Sequence, residues 1–158
     1  MPDLTESIGR HFTLADVVTS QTASRKGIDN LTPLSKTLRA NAVALATNIL
    51  DPERDHWGAP SLVSSWFRSP ALNKAITGSS KTSQHMTAEA CDHRIHGVSV
   101  ADQFNWLAFE SGLPFDQVIF EFNRWVHVSF SSSHAPRGER LRIGADKVYR
   151  NVLKPIKL

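Results

Sequence analysis

The chain has 158 residues and a formal net charge of +3, and this length suits one domain with its own hydrophobic core. No apolar run is long enough to cross a bilayer, and residues 1–13 lack the apolar stretch of a secretory signal. The single cysteine, Cys91, excludes an intramolecular disulfide and leaves a reducing compartment possible.

The first predicted helices follow from a cap and from apolar spacing. Thr13 is predicted to cap a helix, because Asp16 stands three residues later, as in a capping box. A longer helix is predicted over residues 33–50, where apolar residues recur at helical spacing: Leu34, Leu38, Ala42, Leu45 and Ile49. Proline disfavours helical geometry in the residue before it, so Asp51-Pro52 is expected to end this helix.

Short strands and two further helices are predicted in the rest of the chain. Apolar alternation and turn signals indicate strands at residues 62–67, 117–122 and 125–130. The last two are joined by a predicted hairpin turn at Asn123-Arg124. One helix is predicted to begin at Ser69-Pro70 and another at the cap Ser99. We therefore expect an α+β domain in which a small antiparallel sheet packs against helices.

Two histidines and one aspartate are the candidate metal ligands: His85, Asp92 and His127, called here the His–Asp–His set. Three such groups, with a fourth position left open, are what a catalytic zinc ion needs. Strand alternation places His127 on the same face as Trp125 and Ser129. A lone histidine among apolar residues is more often a packed core residue, so the prediction depends on the combination.

Three neighbours of Asp92 are excluded as ligands. Strand alternation turns Cys91 and His93 away from the face that Asp92 occupies, and His96 precedes Gly97 in a predicted turn. Cys91 is accordingly predicted to be a buried structural thiol.

Several short motifs occur in an order that resembles a known family. They are Arg68-Ser69-Pro70 with Asn73, Ser83-Gln84-His85, Ala90 and Asp92, Phe115-Asp116-Gln117, Glu121, and Trp125-Val126-His127-Val128-Ser129. Together they resemble the phage-type branch of the zinc D-alanyl-D-alanine carboxypeptidase family. The wider clan of that family includes L-alanyl-D-glutamate endolysins and the hedgehog zinc fold. The resemblance covers about residues 10–132 of a single domain that spans residues 1–158, and residues 137–158 form a basic C-terminal tail.

The resemblance implies a zinc metallopeptidase that hydrolyses a peptide bond in the stem peptides or cross-links of bacterial peptidoglycan. Such a reaction needs a base that takes a proton from water and delivers it to the leaving amine, and Glu121 is the candidate. Relatives in the clan carry this glutamate three residues before the last histidine, where the present chain has Arg124. The alternative for Glu121 is a surface residue paired with Arg124.

Substrate contacts are predicted for Arg68, Ser83 and Gln117. The planar guanidinium of Arg68 can bind a stem-peptide carboxylate, and the resemblance places Ser83 beside it. The alternative for Arg68 is a surface salt bridge. Gln117 is predicted to donate a hydrogen bond to the oxyanion. Ala88 stands where the family usually has glycine, so the loop is expected to keep its path only if the φ of Ala88 is negative.

These observations favour a monomeric phage endolysin or virion-associated lysin. It would be made in the host cytoplasm and act on the periplasmic cell wall, or be carried on the virion. A non-catalytic cell-wall-binding domain of the same fold is the alternative. A nucleic-acid-binding protein is a third possibility because of the basic tail, but Tyr149 is the only aromatic residue there, so no base-stacking platform is evident. The simplest interpretation of the tail is a solvated basic end.

Overall fold

One mixed six-stranded sheet organises the computed structural model, which describes residues 2–158. The strands are β1 (Ser61–Ser65), β2 (Ala90–Ile95), β3 (Gln117–Glu121), β4 (Trp125–Ser129), β5 (Glu139–Ile143) and β6 (Arg150–Asn151). Their spatial order is β1-β2-β4-β3-β5-β6, and neighbours are antiparallel except for β3 and β5. The α+β prediction is confirmed, but the sheet is mixed rather than purely antiparallel as expected.

Short helices precede and connect the strands. They are α1 (Leu14–Val18), α2 (Gln21–Lys26), α3 (Lys36–Leu45), α4 (Asp51–Trp57), α5 (Pro70–Ala75) and α6 (Val100–Asn105). Two π-helical segments, Ala46–Leu50 and Trp106–Glu110, extend α3 and α6, and the 3₁₀ helix Gln84–Thr87 precedes β2. The predicted caps are confirmed, since the Asp16 carboxylate accepts from Thr13 N and the Ser69 hydroxyl from Leu72 N. Within the described residues, no helix is long and apolar enough to cross a bilayer.

The helix that was expected to end at Asp51-Pro52 continues past the proline, so that prediction is wrong. The N–H of Asp51 bonds to the carbonyl of Ala46, five residues earlier, and this widens the turn before the proline. Pro52 then falls in the first turn of α4, and the wider turn before it makes room for the proline ring. The helix ends instead at Gly58, whose left-handed φ of 61° suits glycine. The extension carries Glu53 into the buried interior.

The two faces of the sheet differ in chemistry. Apolar residues on one face, including Val118, Phe120 and Val126, belong to the hydrophobic core together with Phe104 and Leu107. Because side chains alternate along a strand, the neighbours of these residues project from the opposite face. The residues of that second face include Asp92, Ile119, Glu121, Trp125 and His127. The core therefore supports one face and leaves the other available for a polar site.

The predicted basic tail is part of the sheet rather than a free end. β5 pairs in parallel with β3, and β6 pairs with the outer edge of β5. The Arg140 guanidinium lies over the Phe109 ring, 4.9 Å from its centroid, and also bonds to the carbonyl of Ala108. The amide of Asn105 bonds to Ile156 and so ties the last residues to α6. β5 was not predicted, because strands are recognised by apolar alternation and this strand is charged. In the structure the aliphatic stem of Arg140 packs where an apolar residue would be expected.

Candidate metal centre

The structure brings the three predicted ligands together. His85 lies in the 3₁₀ helix, while Asp92 of β2 and His127 of β4 are direct cross-strand partners. Their candidate ligand atoms all lie within 4.8 Å of one another. His127 Nδ1 is 2.9 Å from Asp92 Oδ1, and His85 Nε2 is 3.3 Å from the same oxygen. Residues that are distant in sequence thus form one compact group of two imidazoles and a carboxylate.

A buried backbone carbonyl orients the ring of His85. Nδ1 of His85 is 2.7 Å from the carbonyl oxygen of Trp66. A carbonyl can only accept, so Nδ1 carries the hydrogen and the lone pair of Nε2 faces Asp92. Burial lowers the pKa of His85 although the charge of Asp92 opposes this, which favours the neutral ring that a metal requires. The contact with Trp66 is the kind of outer interaction that fixes a metal-binding histidine.

Asp92 is the negative charge at the centre of the group. Burial alone would raise the pKa of this carboxyl, but His85 and His127 outweigh it and hold the pKa well below its usual range. Arg68 adds a third contact, with Nη2 3.3 Å from Asp92 Oδ2. An ionised carboxylate between two imidazole nitrogens matches the donor preference of Zn²⁺. The residues present therefore fit a zinc ion, which the His–Asp–His set would hold.

Glu121 lies at the edge of this group. Its Oε1 is 3.8 Å from His127 Nδ1, and its Oε2 accepts a hydrogen bond of 3.1 Å from Trp125 Nε1. Burial and then the charge of Asp92 raise the pKa of Glu121 to about 7. Among the described residues Glu121 forms no ion pair with Arg124, which is exposed in the hairpin turn. The alternative of a surface pair with Arg124 therefore finds no support.

Arg68 lies beside the His–Asp–His set and is mostly buried, with its side chain 13% exposed. Its Nε donates to Ser65 Oγ at 2.9 Å, while Nη2 reaches Asp92. Arg68 is therefore paired with a buried carboxylate rather than with a surface one, and its contact with substrate stays a prediction. A cation here can serve both to orient Asp92 and to attract an anionic ligand.

The other two predicted substrate contacts already have partners in the protein. The Ser83 hydroxyl accepts from the N–H of His85 at 3.3 Å and so caps the 3₁₀ helix. The Gln117 amide donates to Glu139 Oε2 at 2.6 Å. Ser83 lies two residues before His85, and the contacts of Ser83 and Gln117 with substrate remain predictions.

The excluded neighbours lie where the sequence placed them. Cys91 is fully buried, and burial raises the pKa of its thiol well above the usual value. His93 is also fully buried, and its Nε2 is 2.5 Å from Glu53 Oε2. The Gln103 amide donates to the other oxygen of Glu53 at 2.9 Å. Glu53, His93 and Gln103 thus form a hydrogen-bonded group on the side of β2 opposite to Asp92. Glu53 is far from the other two in sequence, so no local pattern predicts the group.

The expectation for Ala88 is corrected. Its φ is +58°, in the left-handed region, and yet Asp92 still reaches the two histidines. Trp66 Nε1 donates to the carbonyl of Ala88 at 3.1 Å and holds the turn in this geometry. The loop therefore keeps its path with a residue that costs roughly 1–2 kcal/mol there.

Another buried carboxylate, to which no role was assigned from the sequence, braces the loop that carries His85. Asp116 accepts from Gln84 Nε2 at 3.0 Å and from Arg137 Nη2 at 2.7 Å. The side chain of Asp116 is fully buried. The only indication of Asp116 in the sequence is its place in the motif Phe115-Asp116-Gln117. Its partner Arg137 is 21 residues away, too far for a local pattern to predict the contact.

Comparison with known proteins identifies one family. A family model described as Peptidase M15 matches residues 10–129, more than half of the chain. No curated protein matches the chain. The matched region ends with the last residue of β4 and includes the His–Asp–His set, Glu121 and Arg68, whereas β5 and β6 lie outside it.

Proposed function

The chain belongs to the peptidase M15 family, a family of zinc peptidases of the D-Ala-D-Ala carboxypeptidase type, and from this membership we propose a specific activity. The protein is a zinc-dependent hydrolase that cleaves a peptide bond in bacterial peptidoglycan. It acts as a monomeric phage endolysin or virion-associated lysin, made in the host cytoplasm and directed at the periplasmic cell wall. The observation that carries this proposal is the convergence of the His–Asp–His set with Glu121.

The chemistry divides between the ion and the side chains. When bound, zinc would supply a Lewis acid that polarises the scissile carbonyl and makes water more acidic. Glu121 is the proposed general base and acid, which takes the proton of the attacking water and passes it to the leaving amine. The carboxylate is placed for this role at the edge of the His–Asp–His set, 3.8 Å from His127 Nδ1. Trp125 orients this carboxylate through its indole N–H.

Arg68 is the proposed anchor for the substrate. Stem peptides end in carboxylates, and a guanidinium binds a carboxylate strongly when both are shielded from water. The Nε and Nη2 atoms of Arg68 bond to Ser65 and Asp92, and this holds the fork beside the His–Asp–His set. The contact would position the peptide before the reaction begins.

Digestion of purified peptidoglycan tests the proposal. The zinc-loaded protein is expected to release fragments whose masses identify the bond that is cut, as a carboxypeptidase or an endopeptidase. Glu121→Gln should retain zinc and wall binding but lose a factor of about 10² to 10⁴ in rate. Glu110→Gln, at an exposed position in the second π-helical segment, is the matched control and should retain full activity.

Two outcomes count against the proposal in different ways. Wall binding without any released fragment would favour the non-catalytic domain. More than about a tenth of the activity in Glu121→Gln is too much for loss of a general base, and the base would then be another group.

A further inference from the structure

The segment that follows the family match carries the only tyrosine of the chain toward the site. Tyr149 immediately precedes β6, whose Arg150 and Asn151 pair with Arg142 and Leu141 of β5. Continuing that antiparallel register by one residue places Tyr149 opposite Ile143. Ile143 pairs with Glu121, and Glu121 pairs with Trp125, so one row crosses four strands: Tyr149, Ile143, Glu121 and Trp125.

The members of this row share the face that carries the ligands. Glu121 is two residues from Ile119, which pairs with His127, and side chains two residues apart project to the same side. Tyr149 is likewise two residues from Asn151. Asn151 pairs with Leu141 of β5, and Leu141 pairs with Ile119, so Asn151 and Ile119 lie in one row. Neighbouring strands lie about 4.8 Å apart, so Tyr149 is two strand spacings from Glu121. Ile143, which lies between them, is buried.

The environment of Tyr149 agrees with this placement. The residue is 57% exposed and is therefore open to a ligand. Partial burial, followed by the charges of Glu121 and Asp92, raises the pKa of the phenol. Two carboxylates of the metal centre thus act on this hydroxyl, which stays protonated and able to donate at neutral pH.

We propose that Tyr149 forms the wall of the substrate cleft on the β6 side and binds the peptide substrate directly. Its O–H donates to a carbonyl or carboxylate oxygen of the peptide next to Glu121, and its ring covers the bound chain. The proposal rests on the proposed function and adds a substrate contact from outside the matched residues 10–129. A tyrosine serves both purposes because it joins a flat apolar ring to a polar tip.

Binding can be measured without turnover in the zinc-loaded Glu121→Gln protein, with a synthetic stem peptide as the probe and calorimetry as the readout. Tyr149→Phe should weaken the affinity about twofold to tenfold, the range for one hydrogen bond. Tyr149→Ala should weaken it further, because the ring is lost as well. Val148→Ala is the matched control, since Val148 is comparably exposed and alternation turns it to the other side.

The single tyrosine also allows direct observation. Replacing it with 3-fluorotyrosine gives one ¹⁹F resonance, which should shift as the peptide saturates the protein. An unmoved resonance at saturation, unchanged affinity in Tyr149→Phe, or an equal loss in Val148→Ala would each overturn the role of Tyr149 and leave the proposed function intact. A wild-type protein that binds no stem peptide at all would overturn both.

Discussion

Replacing Asp116 by asparagine should destabilise the fold more than any comparable surface change. Both carboxylate oxygens accept hydrogen bonds: Oδ1 from the backbone and Nε of Arg137, and Oδ2 from Arg137 Nη2 and Gln84 Nε2. Asparagine has nearly the same size but replaces one oxygen by a donor. In either orientation of the amide, its NH₂ group therefore faces other donors inside a fully buried site.

The expected loss in the free energy of unfolding follows from the pKa of the Asp116 carboxyl. Burial raises the pKa of Asp116, but the contacts with Arg137 and Gln84 outweigh it and lower the pKa from 3.8 to about 2. A tenfold change in acidity corresponds to about 1.4 kcal/mol, so the ionised group stabilises the fold by about 2.5 kcal/mol. The half-exposed guanidinium of Arg137 is partly screened by solvent, which reduces this figure. We expect Asp116→Asn to lower the free energy of unfolding by about 2 kcal/mol at pH 7.

Urea unfolding of both proteins between pH 2 and pH 7 measures this difference. Because the pKa is lowered in the folded state, the stabilisation is complete above pH 3.8 and is lost as the pH falls through about 2. The wild-type advantage should therefore shrink at the acidic end. Asp146→Asn is the control, because Asp146 is also 2.7 Å from an arginine, Arg150, but is half exposed. Equal losses in the two variants at pH 7 would refute the argument from burial.

Three further predictions concern the metal centre and its support. His127→Ala should lose bound zinc and also unfold more easily, and full zinc content by elemental analysis would contradict its role as a ligand. Arg68→Lys should keep zinc but bind a carboxylate-bearing peptide more weakly, so unchanged kcat and KM would place this arginine outside the cleft. Glu53→Gln removes the buried charge beside His93 and should lower the free energy of unfolding by about 1–3 kcal/mol in chemical denaturation. A loss below about 0.5 kcal/mol would show that the pair contributes little.

Local chemistry explains what could be predicted along the chain. The caps at Thr13 and Ser69 depend on groups within three residues, so the sequence is enough to indicate them. Alternation on β2 likewise predicted that Asp92 and His93 project to opposite faces. The end of the helix near Pro52 was misjudged, because a π-helical turn accommodates a proline that local rules would exclude.

The sequence by itself determined the identity of the candidate ligands, because zinc prefers histidine and carboxylate donors and these residue types are read directly from a sequence. Tertiary structure alone decided how those donors are supported and what surrounds them. Trp66 orients His85, Asp116 braces the neighbouring loop, and the parallel pairing of β5 with β3 brings Tyr149 into line with Glu121. These contacts join residues between 19 and 32 positions apart or depend on strand order. Such long-range contacts form only when the whole chain packs, so no local sequence pattern predicts them.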